Sequence, residues 1–398
     1  MFSNRTNWNF LENKLTLLLK SLKRERVSIL DLTESNPTHC HFKYLDANLL
    51  SPLSSSANLA YEPSPNGKQE ARQAIQKYYA EKGIQIDEAQ IFLTASTSEA
   101  YSHLFRLLTN AGEKILIPKP SYPLFHFIAD LNDTQLDHYS LNYQNNRWQV
   151  DSDQLLGSVT SVHKAMIAVH PNNPTGSFLK TGEAKKLIKL ASEKSLAIIS
   201  DEVFSDYGFA EDPERWKSFA DTKEVLSFTL GGISKCLGLP QMKISWIIVN
   251  GPKGLMNHAM ERLEMILDTY LSVGTPSQAA IPYWFSQRNK IQSEIRERIV
   301  KNYASLEKIF LNSGVSCLKI EGGWYGILKL PDFKTEEEIV LELLEKDHVL
   351  VHPGYFFDCE EGIYLVLSLL PESNSFQEGC ERILQRLKQT AKASSQLI

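Results

Sequence analysis

Two apolar runs that each end in a charged residue constrain the fold of this chain more than any other feature. One run covers Leu196–Asp201 and the other covers Val225–Lys235, and both have the composition of buried β-strands. Such continuous apolar strands are typical of parallel sheets that are covered by helices on both faces. The sequence therefore predicts that Asp201 and Lys235 emerge together at the carboxyl edge of one sheet, where open α/β sheets place ligands.

The rest of the chain is typical of a two-domain α/β protein. Strand and helix patterns alternate from about residue 68 to residue 250, and 398 residues exceed one ordinary core. We predict a large domain over residues 45–265, with a mostly parallel seven-stranded sheet between helices. Residues 1–44 and 266–398 are predicted to form a smaller α+β domain.

Helical patterns mark both ends of the large domain. An amphipathic N-terminal helix that packs on the small domain is predicted from leucines at helical spacing, namely Leu11, Leu15, Leu18, Leu19 and Leu22. A long helical stretch is predicted from Leu263 to Phe310 as the bridge into the second domain, with early interruptions at Gly274, Pro276 and Pro282.

Composition excludes several classes of protein. A net charge of -5 without a basic tract gives no reason to expect a nucleic acid or an anionic membrane as partner. The N-terminus lacks the pattern of a secretory signal, so we expect a cytoplasmic protein. No disulfide framework and no metal site are expected from five cysteines that form no CxxC pair, namely Cys40, Cys236, Cys317, Cys359 and Cys380.

The two charged strand ends suit a covalent aldehyde cofactor. Burial lowers the pKa of a lysine amine, which an amine that binds an aldehyde requires, and Lys235 follows Ser234 at the end of an apolar run. A pyridine ring becomes an electron sink when a buried carboxylate keeps its nitrogen protonated, and Asp201 is the candidate. Taken alone, Lys235 is more typical of a surface residue. Asp201, taken alone, is as typical of a helix N-cap as of a functional carboxylate.

A third feature is the turn His170–Gly176, with the sequence His-Pro-Asn-Asn-Pro-Thr-Gly, which follows the apolar run Ala165–Val169. Two prolines and a glycine predict a tight turn at the same sheet edge. A turn is not a function by itself. The functional interpretation gives Asn173 a hydrogen bond to a phenolate oxygen of the cofactor.

In this order, Asn-Asn-Pro-Thr-Gly, Asp-Glu-Val-Phe and Ser-Lys resemble the class I and II aminotransferases of pyridoxal-phosphate fold type I, which are similar to aspartate aminotransferase. The resemblance extends over nearly the whole chain. It includes the segment Tyr61–Gly67 and the glycine-rich segment Gly322–Gly326. It implies pyridoxal 5′-phosphate as cofactor and a homodimer with shared active sites.

The resemblance also implies roles for single residues. Thr97 and Ser98, at a helix start, would hold the phosphate, and Tyr122 would stack on the pyridine ring. The family's tyrosine that reaches the phosphate of the neighbouring subunit corresponds to Tyr61. Ser234 and Lys243 complete the cofactor-binding set, together with Asn173, Asp201 and Lys235. Without the resemblance, Thr97 and Ser98 are simple capping residues and Tyr122 is a packed loop anchor.

The chain departs from the family pattern at four positions. Phe204 stands where the family has a tyrosine that donates to the phenolate, and Gly232 stands at a phosphate-binding serine position. Lys243 replaces an arginine, so it neutralises the phosphate without a bidentate fork. Val366 stands where an arginine usually grips the substrate α-carboxylate, and no arginine occurs between Asn302 and Cys380.

These departures predict unusual recognition of the substrate. Either the substrate is an amine without an α-carboxylate, or another group holds the carboxylate, such as His126, Lys119 or the backbone near Ser35–Pro37. We predict Asn36 and Tyr355 as substrate-binding residues; Tyr355 belongs to an aromatic loop that is otherwise typical of core packing.

The sequence predicts an aminotransferase that moves an amino group from an amino acid or amine to a 2-oxo acid. Lys235 would bind the cofactor and then act as general base at the substrate Cα, and Asp201 would keep the ring nitrogen protonated. One alternative is a lyase on the same fold that cleaves a C–S or related bond. Another is a non-catalytic binding protein that has kept the fold.

Overall fold

The computed structural model describes residues 1–395 and contains two main β-sheets with helices around them. The α-helices are α1 Lys14–Arg24, α2 Gln69–Glu81, α3 Thr97–Leu108, α4 Leu124–Leu131, α5 Ser152–Ser158, α6 Thr181–Lys194, α7 Ile233–Cys236, α8 Lys253–Tyr270, α9 Thr275–Ser286, α10 Arg288–Phe310, α11 Glu336–Asp347 and α12 Ser373–Ser395. The strands are β1 Leu30–Asp31, β2 Ile91–Thr94, β3 Lys114–Lys119, β4 Gln135–Gln144, β5 Arg147–Val150, β6 His163–Val169, β7 Ala197–Asp201, β8 Ser227–Gly232, β9 Ser245–Asn250, β10 Ser316–Cys317, β11 Tyr325–Leu330, β12 Val349–Leu350, β13 His352–Pro353 and β14 Ile363–Ser368.

The large sheet has the order β2-β9-β8-β7-β6-β3-β4-β5. Its central pairs β4–β3, β3–β6, β6–β7 and β7–β8 are parallel, which confirms the predicted α/β fold class. The sheet has eight strands where seven were predicted, because β5 folds back on β4 as an antiparallel hairpin. Asn145 and Asn146 form the connecting turn with φ values of 52° and 60°, the left-handed conformation that two-residue hairpin loops require.

Helices cover both faces of this sheet. Every residue of β7, β8 and β9 is buried, as expected for central strands between two helical layers. An apolar cluster that includes Phe105 of α3 and Leu263 of α8 covers one face, and a cluster that includes Leu187 of α6 covers the other. The ends of the central strands are therefore the places where polar side chains meet solvent.

The predicted helices at the ends of the large domain are present with different bounds. Helix α1 buries Leu15 and Leu22 and packs against α11, so the predicted N-terminal helix is confirmed, although it begins after Leu11. The predicted stretch from Leu263 to Phe310 consists of three helices. The first break lies at Leu271, whose φ of 68° is not helical, and the second separates α9 from α10. Helix α8 runs through the predicted domain boundary at residues 265/266, and that boundary stays a prediction.

The sequence predicted Lys235 as the last residue of a strand, and this is wrong. Strand β8 ends at Gly232, and Lys235 lies in the single helical turn α7 that follows. Gly232 allows β8 to lie close to β9, because a Cβ at this position would be 2.4 Å from the Ser245 hydroxyl oxygen. Apolar Ile233 extends the strand pattern in the sequence, although its backbone already turns away from the sheet.

The small sheet has the order β10-β11-β14-β13 and is joined to the large sheet through backbone contacts. The N–H of Glu321 donates to the carbonyl of Gly176 at 3.1 Å, and the N–H of Gly323 donates to the carbonyl of Tyr207 at 3.0 Å. A Cβ on Gly322 would lie 2.4 Å from the carbonyl oxygen of Tyr207, so only glycine fits there without a shift. We call Gly176, Tyr207 and Glu321–Gly323 the sheet junction.

Among the described residues, none of the helices combines the length and the hydropathy needed to cross a bilayer.

We expect Gly322→Ala to lower the free energy of unfolding by about 1–3 kcal/mol, because its methyl group is forced against the backbone of the sheet junction. Denaturant unfolding followed by circular dichroism measures this change. Gly254→Ala is the matched control: nothing lies within 4 Å of its added Cβ, so stability should stay constant or rise by up to about 1 kcal/mol. Equal effects of the two substitutions would contradict the role of the junction.

Candidate active site

Three segments bring the predicted residues to one edge of the large sheet. Asp201 ends β7 and pairs with Val169 of β6 on one side and with Leu230 of β8 on the other. Asn173 lies four residues after Val169, and Lys235 lies three residues after the end of β8. Because these strands are parallel, the turns after them share the carboxyl edge, as the sequence predicted.

Asp201 is a buried carboxylate held by two donors. The hydroxyl of Tyr101 donates to Oδ2 at 2.9 Å, and the N–H of Val203 donates to Oδ1 at 3.2 Å. Burial raises the pKa of Asp201, while these two hydrogen bonds and the charge of Lys235 act in the opposite direction. A cationic group at this carboxylate would lower its pKa and favour its ionised form.

The amine of Lys235 lies against aromatic rings. Its Nζ is 4.8 Å from the ring centroid of Trp324 and 5.3 Å from that of Phe204. Burial lowers the pKa of Lys235 to about 8, although the charge of Asp201 opposes this effect. The hydroxyl of Tyr207 donates to the Lys235 carbonyl at 2.8 Å and holds the backbone of this turn. Because its pKa is about 8, about a tenth of the Lys235 amine is neutral at pH 7.

The two asparagines of the turn differ in their contacts. Asn172 Oδ1 accepts from the hydroxyl of Thr175 at 2.8 Å, so this side chain stabilises the turn itself. The Oδ1 of Asn173 is buried and has no hydrogen-bond partner in residues 1–395. Such orphan groups are costly unless a ligand satisfies them, and a flip of the amide presents its N–H₂ instead. Asn173 is thus available to a ligand, and Asn172 is not.

The start of α3 lies at the same edge. Ser96 caps this helix by accepting from the N–H of Glu99 at 3.1 Å, which leaves Thr97 and Ser98 in the first turn, where the helix offers their N–H groups no acceptor. Thr94, just before this turn, pairs with Ser245 of β9, and Lys243 precedes Ser245 by two residues. Lys243 is exposed and makes no ion pair within the described part of the chain.

Other predicted site residues have more open surroundings. Ser234 is half-buried beside Lys235 in α7. Tyr122 is 38% exposed and meets Phe125 edge to face at 6.1 Å. Burial and the neighbouring Tyr325 and Asp201 raise the pKa of Tyr122 to about 12.

Tyr61, Asn36 and Tyr355 are the remaining residues that the sequence predicted for the site. Tyr61 is 72% exposed. The side-chain oxygen of Asn36 is already occupied, because it accepts from the N–H and the hydroxyl of Thr38 at 3.1 and 2.8 Å. Tyr355 is 44% exposed and packs edge to face on Phe356 at 5.1 Å. Their proposed roles stay predictions.

Two aromatic residues of the site were missed by sequence reasoning. Trp324 covers Lys235, and Tyr325, which contributes to the raised pKa of Tyr122, meets Phe357 edge to face at 5.9 Å. Both stand in the glycine-rich segment Gly322–Gly326, which was noted only for its glycines. Two adjacent aromatics directly after a glycine pair were the available signal.

The position of the expected arginine is apolar core. Val366 lies in the middle of β14, between Ile327 of β11 and His352 of β13, and it is fully buried. It belongs to an apolar cluster with Phe357 and Tyr364. Burial lowers the pKa of His352 to about 4, so this neighbour supplies no cation at neutral pH either.

The residues present fit pyridoxal 5′-phosphate. The site offers an amine of lowered pKa, a buried carboxylate, the Asn173 amide, which presents its N–H₂ after a flip, and a helix N-terminus followed at the same edge by a lysine without an ion pair in the described residues. These are the groups that an aldehyde, a pyridine nitrogen, a phenolate and a phosphate require.

Comparison with known proteins gives one consistent result. The profile of the family "Aminotransferase class I and II" matches residues 29–383. The chain is 26% identical over 377 residues to a glutamate-pyruvate aminotransferase of Haemophilus influenzae, covering 92% of both sequences. It is 25% identical over 374 residues to an alanine aminotransferase of Mycobacterium tuberculosis, covering 91% of this chain and 86% of the relative.

Solved structures show the same fold. An alanine aminotransferase from Pyrococcus furiosus superposes with a TM-score of 0.88 at 23% identity and covers 98% of this chain and 100% of its own. An aminotransferase from Escherichia coli gives a TM-score of 0.86 at 23% identity, with 98% of both chains covered. The family match extends over most of the sequence. The chain belongs to the class I and II aminotransferases, which use pyridoxal 5′-phosphate.

Proposed function

We propose that the protein transfers an amino group between an amino acid and a 2-oxo acid, with Lys235 as the residue that binds the cofactor and carries the proton. The observation that supports this most directly is the placement of the Lys235 amine, which lies beside Trp324 and Phe204 and has a pKa lowered to about 8. A surface lysine lacks both features.

The cofactor, when bound, supplies a reactive aldehyde and a ring that accepts electrons. We assign the rest of the chemistry to side chains of this chain. Asp201 keeps the ring nitrogen protonated, and Asn173 donates to the phenolate with the amide that has no protein partner. Lys235 moves the proton at the substrate Cα. Tyr122 covers the ring.

Phosphate binding is assigned to the start of α3 and the adjacent residues. Thr97 and Ser98 offer N–H groups and hydroxyls at the positive end of the helix dipole. Ser234 and the exposed Lys243 add a hydroxyl and a cation. We further propose a homodimer in which Tyr61, 72% exposed in the single chain, reaches the phosphate of the partner.

For the substrates, the names of the relatives make glutamate, alanine and their 2-oxo acids the first pairs to test. We propose that the α-carboxylate is bound without an arginine, because Val366 fills the expected position with apolar core. The Tyr325 and Ser35 hydroxyls are the donors that we assign to the carboxylate. Ser35 lowers the pKa of Tyr325, and Tyr325 raises that of Tyr122, which marks the three side chains as neighbours. Asn36 and Tyr355 then border the pocket without binding this group directly.

Lys235→Ala should abolish the visible absorption band of the lysine-bound cofactor and lower turnover by several orders of magnitude, because no other amine replaces it. Absorption spectra and transamination assays with pooled amino acids measure both. Lys253→Ala, at the exposed start of α8, should leave the band unchanged. A normal band in Lys235→Ala would exclude this lysine, and release of ammonia and a 2-oxo acid without an amino acceptor would favour a lyase.

Attachment of added cofactor to the cofactor-free protein should depend on pH with a midpoint near 8. Only the neutral amine reacts, and the pKa of Lys235 is lowered to about 8, so the rate should rise about tenfold per pH unit below 8 and level off above it. Stopped-flow absorbance measures the rate. A midpoint above 10 would show that the amine is not desolvated.

Tyr325→Phe should raise KM for an amino acid at least about tenfold with a smaller change in kcat, because a hydrogen bond to a carboxylate contributes about 1.5–3 kcal/mol. The KM of a matched amine without the carboxylate should not change. Tyr364→Phe is the control, since its hydroxyl makes only a 3.5 Å contact with the Glu361 carbonyl. Equal effects on amino acid and amine would refute the assignment to Tyr325.

A further inference from the structure

Three potential metal ligands meet outside the active site. His126 lies on α4, His138 on β4, and Asp358 directly after the 3₁₀ helix Gly354–Phe357. One ligand atom of each lies within 4.8 Å of the other two. The Nε2 of His126 is 3.7 Å from Oδ2 of Asp358, and the two imidazole centroids are 5.6 Å apart.

The cluster contains a ring nitrogen that has no hydrogen-bond partner in the described residues and a histidine–carboxylate pair that is longer than a normal hydrogen bond. The Nε2 of His138 is buried and has no partner among residues 1–395. A separation of 3.7 Å between His126 and Asp358 exceeds a normal hydrogen bond. An orphan imidazole nitrogen therefore faces a second imidazole and a carboxylate.

The charges around the cluster do not exclude a cation. Lys119 is near both histidines, but its Nζ pairs with Glu360 at 2.5 Å. Asp358 acts on both histidines, Asp130 acts on His126 and Asp137 acts on His138, so the other charged side chains near the cluster are carboxylates. The backbone N–H of Asp358 donates to the Tyr355 carbonyl at 3.3 Å. This bond holds the backbone of Asp358 opposite the histidines.

We propose that His126, His138 and Asp358 bind a divalent transition-metal ion, with Zn²⁺ as the best fit. Two imidazoles and one carboxylate are a common zinc ligand set, and they leave the fourth position to water. Ligand atoms at about 2.0–2.1 Å from zinc lie roughly 3.3 Å apart in a tetrahedron, so side-chain rotations that bring the atoms closer by up to about 1.5 Å complete the site. Sequence reasoning expected no metal because it relied on cysteine spacing.

A bound ion would link the two parts of the structure near the active site. His126 and His138 belong to the large sheet and its helices, whereas Asp358 belongs to the loop before β14. Next to this loop, the N–H of Ser121 donates to the Phe357 carbonyl at 2.9 Å. The link would therefore fasten the segment that carries Tyr122.

The test uses the full-length holoenzyme without a histidine tag, stripped with a chelator. Titration with Zn²⁺ in a calorimeter, and with Co²⁺ followed by visible absorption, should give one ion per chain with a tetrahedral cobalt spectrum. His138→Ala and Asp358→Asn should each lower the affinity at least tenfold. The matched control is His258→Ala, which removes an exposed histidine that lies beside Glu261 on α8, and it should bind as the unmodified protein does.

Absence of binding in the unmodified protein, or equal affinity in His138→Ala, would overturn the proposal. If His138→Ala does not fold by circular dichroism, Asp358→Asn decides by the same criterion, because this partly exposed side chain is not part of the core. The cofactor band serves as an independent readout: a normal band without zinc binding refutes the metal site and leaves the proposed transamination intact.

Discussion

The backbone contact between Gly176 and Gly322 is the constraint on which the rest of the site depends. A Cβ on Gly176 would lie 2.3 Å from the carbonyl oxygen of Gly322, so both backbones approach as closely as main-chain atoms allow. Gly176 ends the turn that carries Asn173, and Gly322 begins the segment that carries Trp324. One contact therefore positions groups from both sheets around Lys235.

The electrostatics of the site depend on the same arrangement. Burial raises the pKa of Asp201 and lowers that of Lys235, so the two groups are driven toward their neutral forms and only partly compensate each other. The attraction between the two charges is one of the smaller contributions to the pKa of each group. A ligand that brings a cation to Asp201 and reacts with the amine of Lys235 would offset both costs at once.

The part of the site that sequence could predict is local. Asp201 and Asn173 follow apolar runs whose strand character is fixed by composition, and the shared edge follows from parallel pairing. Lys235 was placed correctly at this edge but on a strand, because Ile233 hides the turn after Gly232. Strand β5 was missed because its pairing depends on a two-residue turn rather than on an apolar run. The roles of Trp324 and Tyr325 depend on contacts between distant segments, which single-sequence periodicity does not contain.

The position of Trp324 also gives the protein an optical reporter. Its ring is fully buried, 4.8 Å from the Lys235 amine, and its indole N–H has no acceptor within the described residues. An excited indole so close to a chromophore attached at that amine loses its energy to the chromophore instead of emitting it. With the cofactor bound at Lys235 as proposed, occupancy would change the emission of this indole, one of six in the chain, without any label.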